Sequence, residues 1–143
     1  MAAQGRKNVH GKTGVRFKTG YTASKNKAML RNVVTDLVLN GEVKVTSGVV
    51  KELKGLADHL VTLAMREEKY RLHAIRQAAR VLRPTVTNGK GQTALDVLFK
   101  EIGPRMAERV KRLNGQKGGY TKSYKLGERR GDSAEVVLVR WAD

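Results

Sequence analysis

The most constraining feature of this sequence is a long N-terminal stretch that carries only positive charge. Before the first acidic residue, Asp36, there are eight Lys and Arg residues and no Asp or Glu. Glycines are scattered among these charges, and apolar residues do not recur regularly before about Ala28. Such a segment buries too little apolar surface to fold alone. We predict an extended basic arm over residues 1–23 and a single globular domain over 24–143; the alternative for the arm is an unstructured solubilising tail.

The composition favours a polyanionic partner. The 143 residues include 29 Lys+Arg against 13 Asp+Glu, a formal net charge of +16. Self-repulsion of this size destabilises a compact chain unless an anion screens it. RNA and DNA fit best, since membrane surfaces usually call for exposed aromatics and only 5% of the residues are aromatic. The absence of cysteine excludes disulfides and thiolate metal sites, and no apolar run approaches the roughly 20 residues of a membrane helix.

Hydrophobic periodicity predicts an α+β fold in two layers, with the order helix, strand, helices, strand, strand. The last two strands should form a hairpin with the early strand beside it, so that a small three-stranded sheet packs on three to five helices. The expected elements are a helix from an N-cap at Ser24 to a stop at Asn40-Gly41, a strand over 42–47, helices over 49–65 and 69–82, a helix from Thr93 to about 113 interrupted at Gly103-Pro104, and strands over 120–126 and 136–139.

The apolar pattern also predicts which faces are buried. The last strand is a continuous apolar run, which suits a strand covered on both faces. The third helix is expected to bury Leu72, Ile75, Ala78, Ala79 and Leu82.

None of the motifs that carry catalysis is complete. Gly11-Lys12-Thr13 looks like the end of a P-loop, but Arg6 stands where that loop needs glycine and no strand precedes it. The adjacent acids Glu67 and Glu68 fit a solvated corner between helices better than a catalytic pair. The three histidines have no partner at metal-ligand spacing: His10, His59 and His73. We therefore predict no enzyme activity, no metal site and no cofactor.

Two groups of basic residues are the strongest candidates for binding. On the first helix, Lys25, Lys27 and Arg31 fall largely opposite the apolar stripe and continue the charge of the arm. The second group lies in the last third of the chain, where bases outnumber acids and glycines let the backbone approach a ligand. Tyr120 and Tyr124 lie among these bases and suit stacking on nucleotides, with packing in the core as an equal alternative.

A set of short motifs also follows a characteristic order along the chain. They are Ala28-Met29-Leu30-Arg31-Asn32, Lys51-Glu52-Leu53, Leu98-Phe99-x-x-Ile102-Gly103-Pro104-Arg105, Gly119-Tyr120-Thr121-Lys122 and Leu126-Gly127-x-Arg129-Arg130-Gly131-Asp132. In this order, over about residues 10–140, the sequence resembles the bacterial large-subunit ribosomal protein L17 family. The resemblance implies an RNA-binding structural component of the large ribosomal subunit near the exit of the nascent-chain tunnel, noncatalytic and without a cofactor.

The expected partners are large-subunit rRNA and neighbouring large-subunit proteins, with no membrane and no small-molecule substrate. The expected location is the ribosome in the bacterial cytoplasm, with an organelle matrix less favoured.

The main alternative is a DNA-binding or nucleoid architectural protein, although no helix-turn-helix spacing is found. A nucleic-acid-processing enzyme would need clustered carboxylates for a divalent metal, and the acids here are dispersed.

RNA contact is predicted for Arg6, Lys7, His10, Lys12, Arg16, Lys18, Tyr21, Lys25, Lys27, Arg31, Asn32, Arg105, Lys117, Tyr120, Lys122, Arg129 and Arg130.

Overall fold

A computed structural model describes residues 22–142 of the chain, apart from the side chain of Ala23. The arm predicted over residues 1–23 therefore lies almost entirely outside the described part. The elements are α1 (Ala23–Asn40), β1 (Glu42–Thr46), α2 (Ser47–Ala64), a 3-10 turn (Glu68–Tyr70), α3 (Arg71–Ala79), α4 (Ala94–Val97), a π-helical turn (Leu98–Ile102), α5 (Gly103–Arg112), β2 (Thr121–Glu128) and β3 (Glu135–Trp141). The fold is α+β in the predicted order.

The three strands form one antiparallel sheet in the order β1–β3–β2. The predicted hairpin is therefore β2–β3, and the early strand lies beside it, as expected. The structure adds that the early strand pairs with β3, the second strand of the hairpin. Residue Val139 of β3 lies opposite Val43 on one side and Ser123 on the other. The prediction that β3 is covered on both faces is wrong for the described residues: Val137 and Val139 are buried, but Leu138, on the other face, is only half-buried.

The first helix begins two residues earlier than predicted. Its N-cap is Thr22, which has an extended backbone and whose side-chain oxygen accepts the Lys25 N–H at 3.5 Å. Ser24 therefore already lies inside the first turn. The predicted stop is confirmed, because Gly41 takes a left-handed φ of 81° and donates its N–H to the Leu37 carbonyl.

The third helix is shorter than predicted, and its buried face differs. A 3-10 turn precedes it, and the regular part ends at Ala79. Leu72 is 61% exposed, whereas Ala74 and Ala78 are fully buried. The expected burial of Leu72 and Ala79 is therefore wrong. Ala74 and Ala78, one turn apart, form the face of α3 that packs into the core. Which face of the helix is buried is therefore decided by how α3 packs on its neighbours, and not by where its largest apolar side chains lie.

The helix that follows Thr93 is not interrupted at Gly103-Pro104. The π-helical turn runs directly into α5, and Pro104 lies in the first turn of α5, where a missing N–H costs little. Gly103 is the point of closest approach to α2. A Cβ there would lie 3.1 Å from the Ala64 Cβ and 3.2 Å from the Ala64 carbonyl oxygen. The missing side chain of Gly103 therefore allows α2 to approach this helix closely.

The N-cap predicted at Thr93 is confirmed and forms a capping box with Asp96. The Thr93 Oγ1 accepts the Asp96 N–H at 3.3 Å, and the Asp96 carboxylate accepts the Thr93 N–H at 3.4 Å. The Lys100 ammonium lies 2.8 Å from the same carboxylate. Its hydrogen bond, followed by those of Thr93, lowers the pKa of Asp96 from 3.8 to about 2.

We expect Asp96→Asn to destabilise the protein at neutral pH, and the difference from the native chain to fade in acid. Because the folded-state pKa lies below the unfolded value, the stabilisation is present above 3.8 and disappears as the pH falls through about 2. Urea unfolding followed by circular dichroism between neutral pH and about pH 2 measures this. Glu67→Gln, which removes an exposed acid outside the capping box, is the control. A difference that is constant with pH would contradict the prediction.

The core lies between the helices and one face of the sheet. Trp141 is 3% exposed, and its indole N–H donates to the Leu37 carbonyl at 3.1 Å. Tyr120 is 2% exposed, and its backbone N–H donates to the Asp58 carboxylate at 3.1 Å. The apolar stripe predicted on the first helix is confirmed: Leu30, Val34, Leu37 and Val38 are buried, and Val33 is half-buried. Other fully buried residues include Leu53, Leu60, Leu82, Leu98 and Met106.

Candidate nucleic-acid interface

The predicted RNA-contacting residues of the arm lie outside the described residues. They are Arg6, Lys7, His10, Lys12, Arg16, Lys18 and Tyr21. The remaining predicted residues fall on three surfaces: a cleft beside α1, the exposed side of α5 with the loop after it, and the outer face of the sheet with its hairpin turn.

The first surface is a basic cleft of about 610 Å³ between α1, α2 and the end of α3. The structure brings two predicted residues, Lys27 and Arg31, to its edge. It adds Lys51 from α2 and Arg80 from the end of α3, which the sequence analysis missed. The cleft is also lined by Glu52, Gly55, His59, Leu30, Leu56 and Val81.

The cations of the basic cleft are available to an external partner. Lys27, Lys51 and Arg80 are exposed, and none forms an ion pair within residues 22–142. Four basic side chains converge there against one lining acid, Glu52. This arrangement suits an anion with regularly spaced charges, such as a phosphate backbone.

Arg31 is held in position by contacts on both sides of α1. Its side-chain Nε–H donates to the Val81 carbonyl at 2.9 Å. Thr35 donates its hydroxyl to the Arg31 carbonyl at 2.7 Å and accepts the Arg83 N–H at 3.1 Å. These bonds fasten the end of α3 to α1. The Arg31 guanidinium is therefore oriented before any ligand arrives, which lowers the entropic cost of binding.

Asn32 lies beside this clamp. Its side-chain oxygen accepts the Arg83 Nε–H at 2.8 Å, and the residue as a whole is exposed. Lys25 is exposed one turn before Met29, toward the arm. Within residues 25–32, hydrogen bonds thus hold the side chains of Arg31 and Asn32 in place, whereas Lys25 and Lys27 are exposed.

The second surface is the exposed side of α5. Arg105, Arg109 and Arg112 recur at four- and three-residue spacing, line a cleft of about 280 Å³ and share it with Glu108. Arg109 donates to the Gly118 carbonyl at 3.5 Å and so fastens the following loop to α5. Lys117 in that loop is exposed. Arg105, the other predicted residue on this surface, is exposed as well.

The third surface is the outer face of the sheet. Lys44, Leu138 and Tyr124 lie directly opposite one another across the three strands and so share one face. Tyr124 is 47% exposed, whereas Tyr120 is 2% exposed. Of the two alternatives considered for Tyr120, the structure shows packing, because its ring belongs to the core. The tyrosine that offers a face for stacking is Tyr124, with Lys122 exposed two residues before it.

The two arginines predicted in the hairpin turn, Arg129 and Arg130, have different surroundings. Arg129 pairs with Asp132, and its Nε–H lies 3.0 Å from the carboxylate. That pairing raises the pKa of Arg129 and lowers the pKa of Asp132 to about 2. Arg129 therefore fixes the turn. Arg130 is exposed, with no ion pair to any described residue, and is the better candidate for contact.

Other site chemistries find no support in the described part of the chain. Residues 22–142 contain no group of three His, Cys, Asp or Glu side chains placed to hold a metal ion. Among the same residues, no helix has the length and apolarity to cross a membrane. His59 and His73 are exposed on helices, and Glu67 and Glu68 lie at an exposed corner, as predicted.

The fold and its basic surfaces define a small, basic α+β protein suited to binding a polyanion. The family model for ribosomal protein L17 matches residues 29–142, which is most of the chain. The chain therefore belongs to the ribosomal protein L17 family, and it is a protein of the large ribosomal subunit.

Proposed function

We propose that this protein is a noncatalytic structural constituent of the large subunit that binds folded rRNA near the nascent-chain tunnel exit, in bacterial ribosomes. The observation that carries the proposal is the basic cleft. Four cations from three helices converge there, and the Arg31 guanidinium is fixed in advance by its bond to Val81. Neighbouring large-subunit proteins complete the expected partners.

The geometry favours recognition of RNA shape over recognition of base edges. The cleft cations lie on three helices whose relative placement is set by the core, so they match a particular arrangement of phosphates. The arm, residues 1–23, is proposed to extend from α1 along the RNA and to become ordered on it. Arg105, Lys122 and Arg130 would extend the contact area beyond the cleft.

Sedimentation of a cell lysate tests the proposal directly. In a sucrose gradient with magnesium and high salt, we expect one copy of the chain per large subunit, measured by mass spectrometry. A chain that sediments free, or with chromosomal DNA, would contradict the proposal.

A binding comparison separates RNA from the DNA alternative. With a folded large-subunit rRNA fragment and duplex DNA at equal salt, we expect clear preference for the RNA, because only the folded RNA offers phosphates in the required arrangement. Equal affinity for both would favour the nucleoid alternative.

A further inference from the structure

A groove distinct from the two clefts described above runs between the end of α2, the 3-10 turn and α5, and is called the α2–α5 groove. Its volume is about 900 Å³, within the range of about 300–1,000 Å³ that is usual for ligand pockets. Half-buried Met65 and Val110 line it, together with the edge of the buried Tyr120. Tyr70, 49% exposed, stands at its wall. The groove thus combines an apolar lining with an accessible aromatic ring.

The rim of the α2–α5 groove is cationic. Arg66, Lys111 and Lys117 are exposed around it, and none of the three forms an ion pair with a described residue. The one acid that lines the groove is Glu67. A purely apolar occupant would leave the three cations unmatched. The charge therefore selects an occupant that carries both an apolar face and negative charge.

Tyr70 is positioned to act as a stacking surface. Its backbone N–H donates to the Glu67 carbonyl at 2.9 Å, which fixes the 3-10 turn. The Lys69 ammonium lies 4.9 Å from the centre of the ring, in cation–π contact with one of its faces. An exposed aromatic ring beside unpaired cations is the arrangement by which proteins hold unpaired nucleotides.

We propose that the α2–α5 groove binds a single unpaired nucleotide extruded from folded rRNA. The base would stack on Tyr70 and against the apolar lining, and the flanking phosphates would lie on Arg66, Lys111 and Lys117. The proposal rests on the rRNA binding proposed above and adds a position where an unpaired base is recognised. An extended acidic peptide fits less well, because the walls are mainly helical and offer no strand edge to pair with its backbone.

Two RNA hairpins test the proposal with the full chain. One has a fully paired stem, and the other carries one bulged 2-aminopurine in the same stem. We expect the bulged hairpin to bind at least about fivefold more tightly, with a change in 2-aminopurine fluorescence as the base stacks. Tyr70→Ala should abolish this preference and leave the affinity for the paired hairpin within about twofold, because that hairpin depends on phosphate contacts.

Matched variants control for folding and for surface apolarity. Tyr70→Phe keeps the ring and should keep the preference. Leu72→Ala removes an exposed apolar side chain that does not line the groove and should also leave the preference unchanged. Circular dichroism melting establishes that each variant is folded.

Each outcome separates this proposal from the proposed function. Equal affinity for both hairpins, unchanged in Tyr70→Ala, would overturn the nucleotide site and leave rRNA binding standing. Failure to bind either hairpin or a folded rRNA fragment would overturn both. Binding of a fluorescent Glu- and Phe-rich peptide that Tyr70→Ala abolishes, without discrimination between the hairpins, would assign the groove to a protein segment and overturn the nucleotide proposal.

Discussion

Replacing Lys27, Lys51 and Arg80 together by alanine is expected to weaken binding to a folded large-subunit rRNA fragment by about a hundredfold or more at 0.1 M salt. Each side chain is exposed and free of described ion pairs, so each can neutralise one phosphate. Losing three such contacts should reduce the slope of log K against log salt by about 2 to 3. Filter binding or fluorescence anisotropy over a salt series measures both quantities.

A second triple variant shows whether the basic cleft or the net charge is responsible. Lys90→Ala, Lys100→Ala and Lys125→Ala remove the same charge outside the cleft, and two of these lysines are already paired with acids. This variant should change the salt slope much less. All six substitutions are at exposed positions, where stability usually changes by less than about 0.5 kcal/mol each. Equal losses in the two triple variants would contradict a specific role for the cleft.

Trp141→Ala is expected to destabilise the fold by about 3 to 5 kcal/mol, the usual cost of deleting a buried large aromatic ring. The indole is 3% exposed and joins the end of β3 to α1 through its bond to the Leu37 carbonyl. Urea unfolding followed by circular dichroism measures the loss, since Trp141 is the chain's one tryptophan and fluorescence disappears with it.

Trp141→Phe separates the packing of the ring from its hydrogen bond. Phenylalanine keeps most of the apolar volume and removes the donor. The Leu37 carbonyl still accepts the Gly41 N–H at 3.0 Å, so no buried acceptor is orphaned. We therefore expect a loss of only about 1 to 2 kcal/mol. A loss below about 1 kcal/mol for Trp141→Ala would show that the core closes over the missing ring.

Features set by neighbouring residues were predictable from the sequence. The stop at Asn40-Gly41 and the cap at Thr93 follow from local backbone and side-chain chemistry. The early strand could be placed beside the hairpin because β1 has no nearby strand to pair with, but the sequence did not indicate which hairpin strand it joins. In contrast, Gly103-Pro104 does not break its helix, and Gly103 is where the helix packs closely on Ala64, a contact between elements far apart in the sequence that a local pattern does not show.

The candidate site was harder to predict for a related reason. Alternation in a strand tells which residues share a face, but not which face meets the core. Tyr120 and Tyr124 fit the same alternation, but β2 begins only at Thr121, so Tyr120 lies before the strand and packs in the core while Tyr124 is exposed. Likewise, Lys51 and Arg80 belong to separate helices, and only the packing of those helices places them beside Lys27 and Arg31.

The central position of β3 has a consequence for how the chain is made. Both β1 and β2 pair only with β3 in the described sheet, yet residues 135–141 are synthesised after both of them. Until those residues are available, β1 has no strand to pair with. The pairing of β1 with β3 joins segments about 90 residues apart in the sequence, and such long-range contacts slow folding. A product truncated before Glu135 lacks the strand that joins the sheet and the indole that anchors it to α1. Incomplete chains would therefore expose unpaired strand edges and apolar surface, the features by which a cell distinguishes an unfinished protein from a folded one.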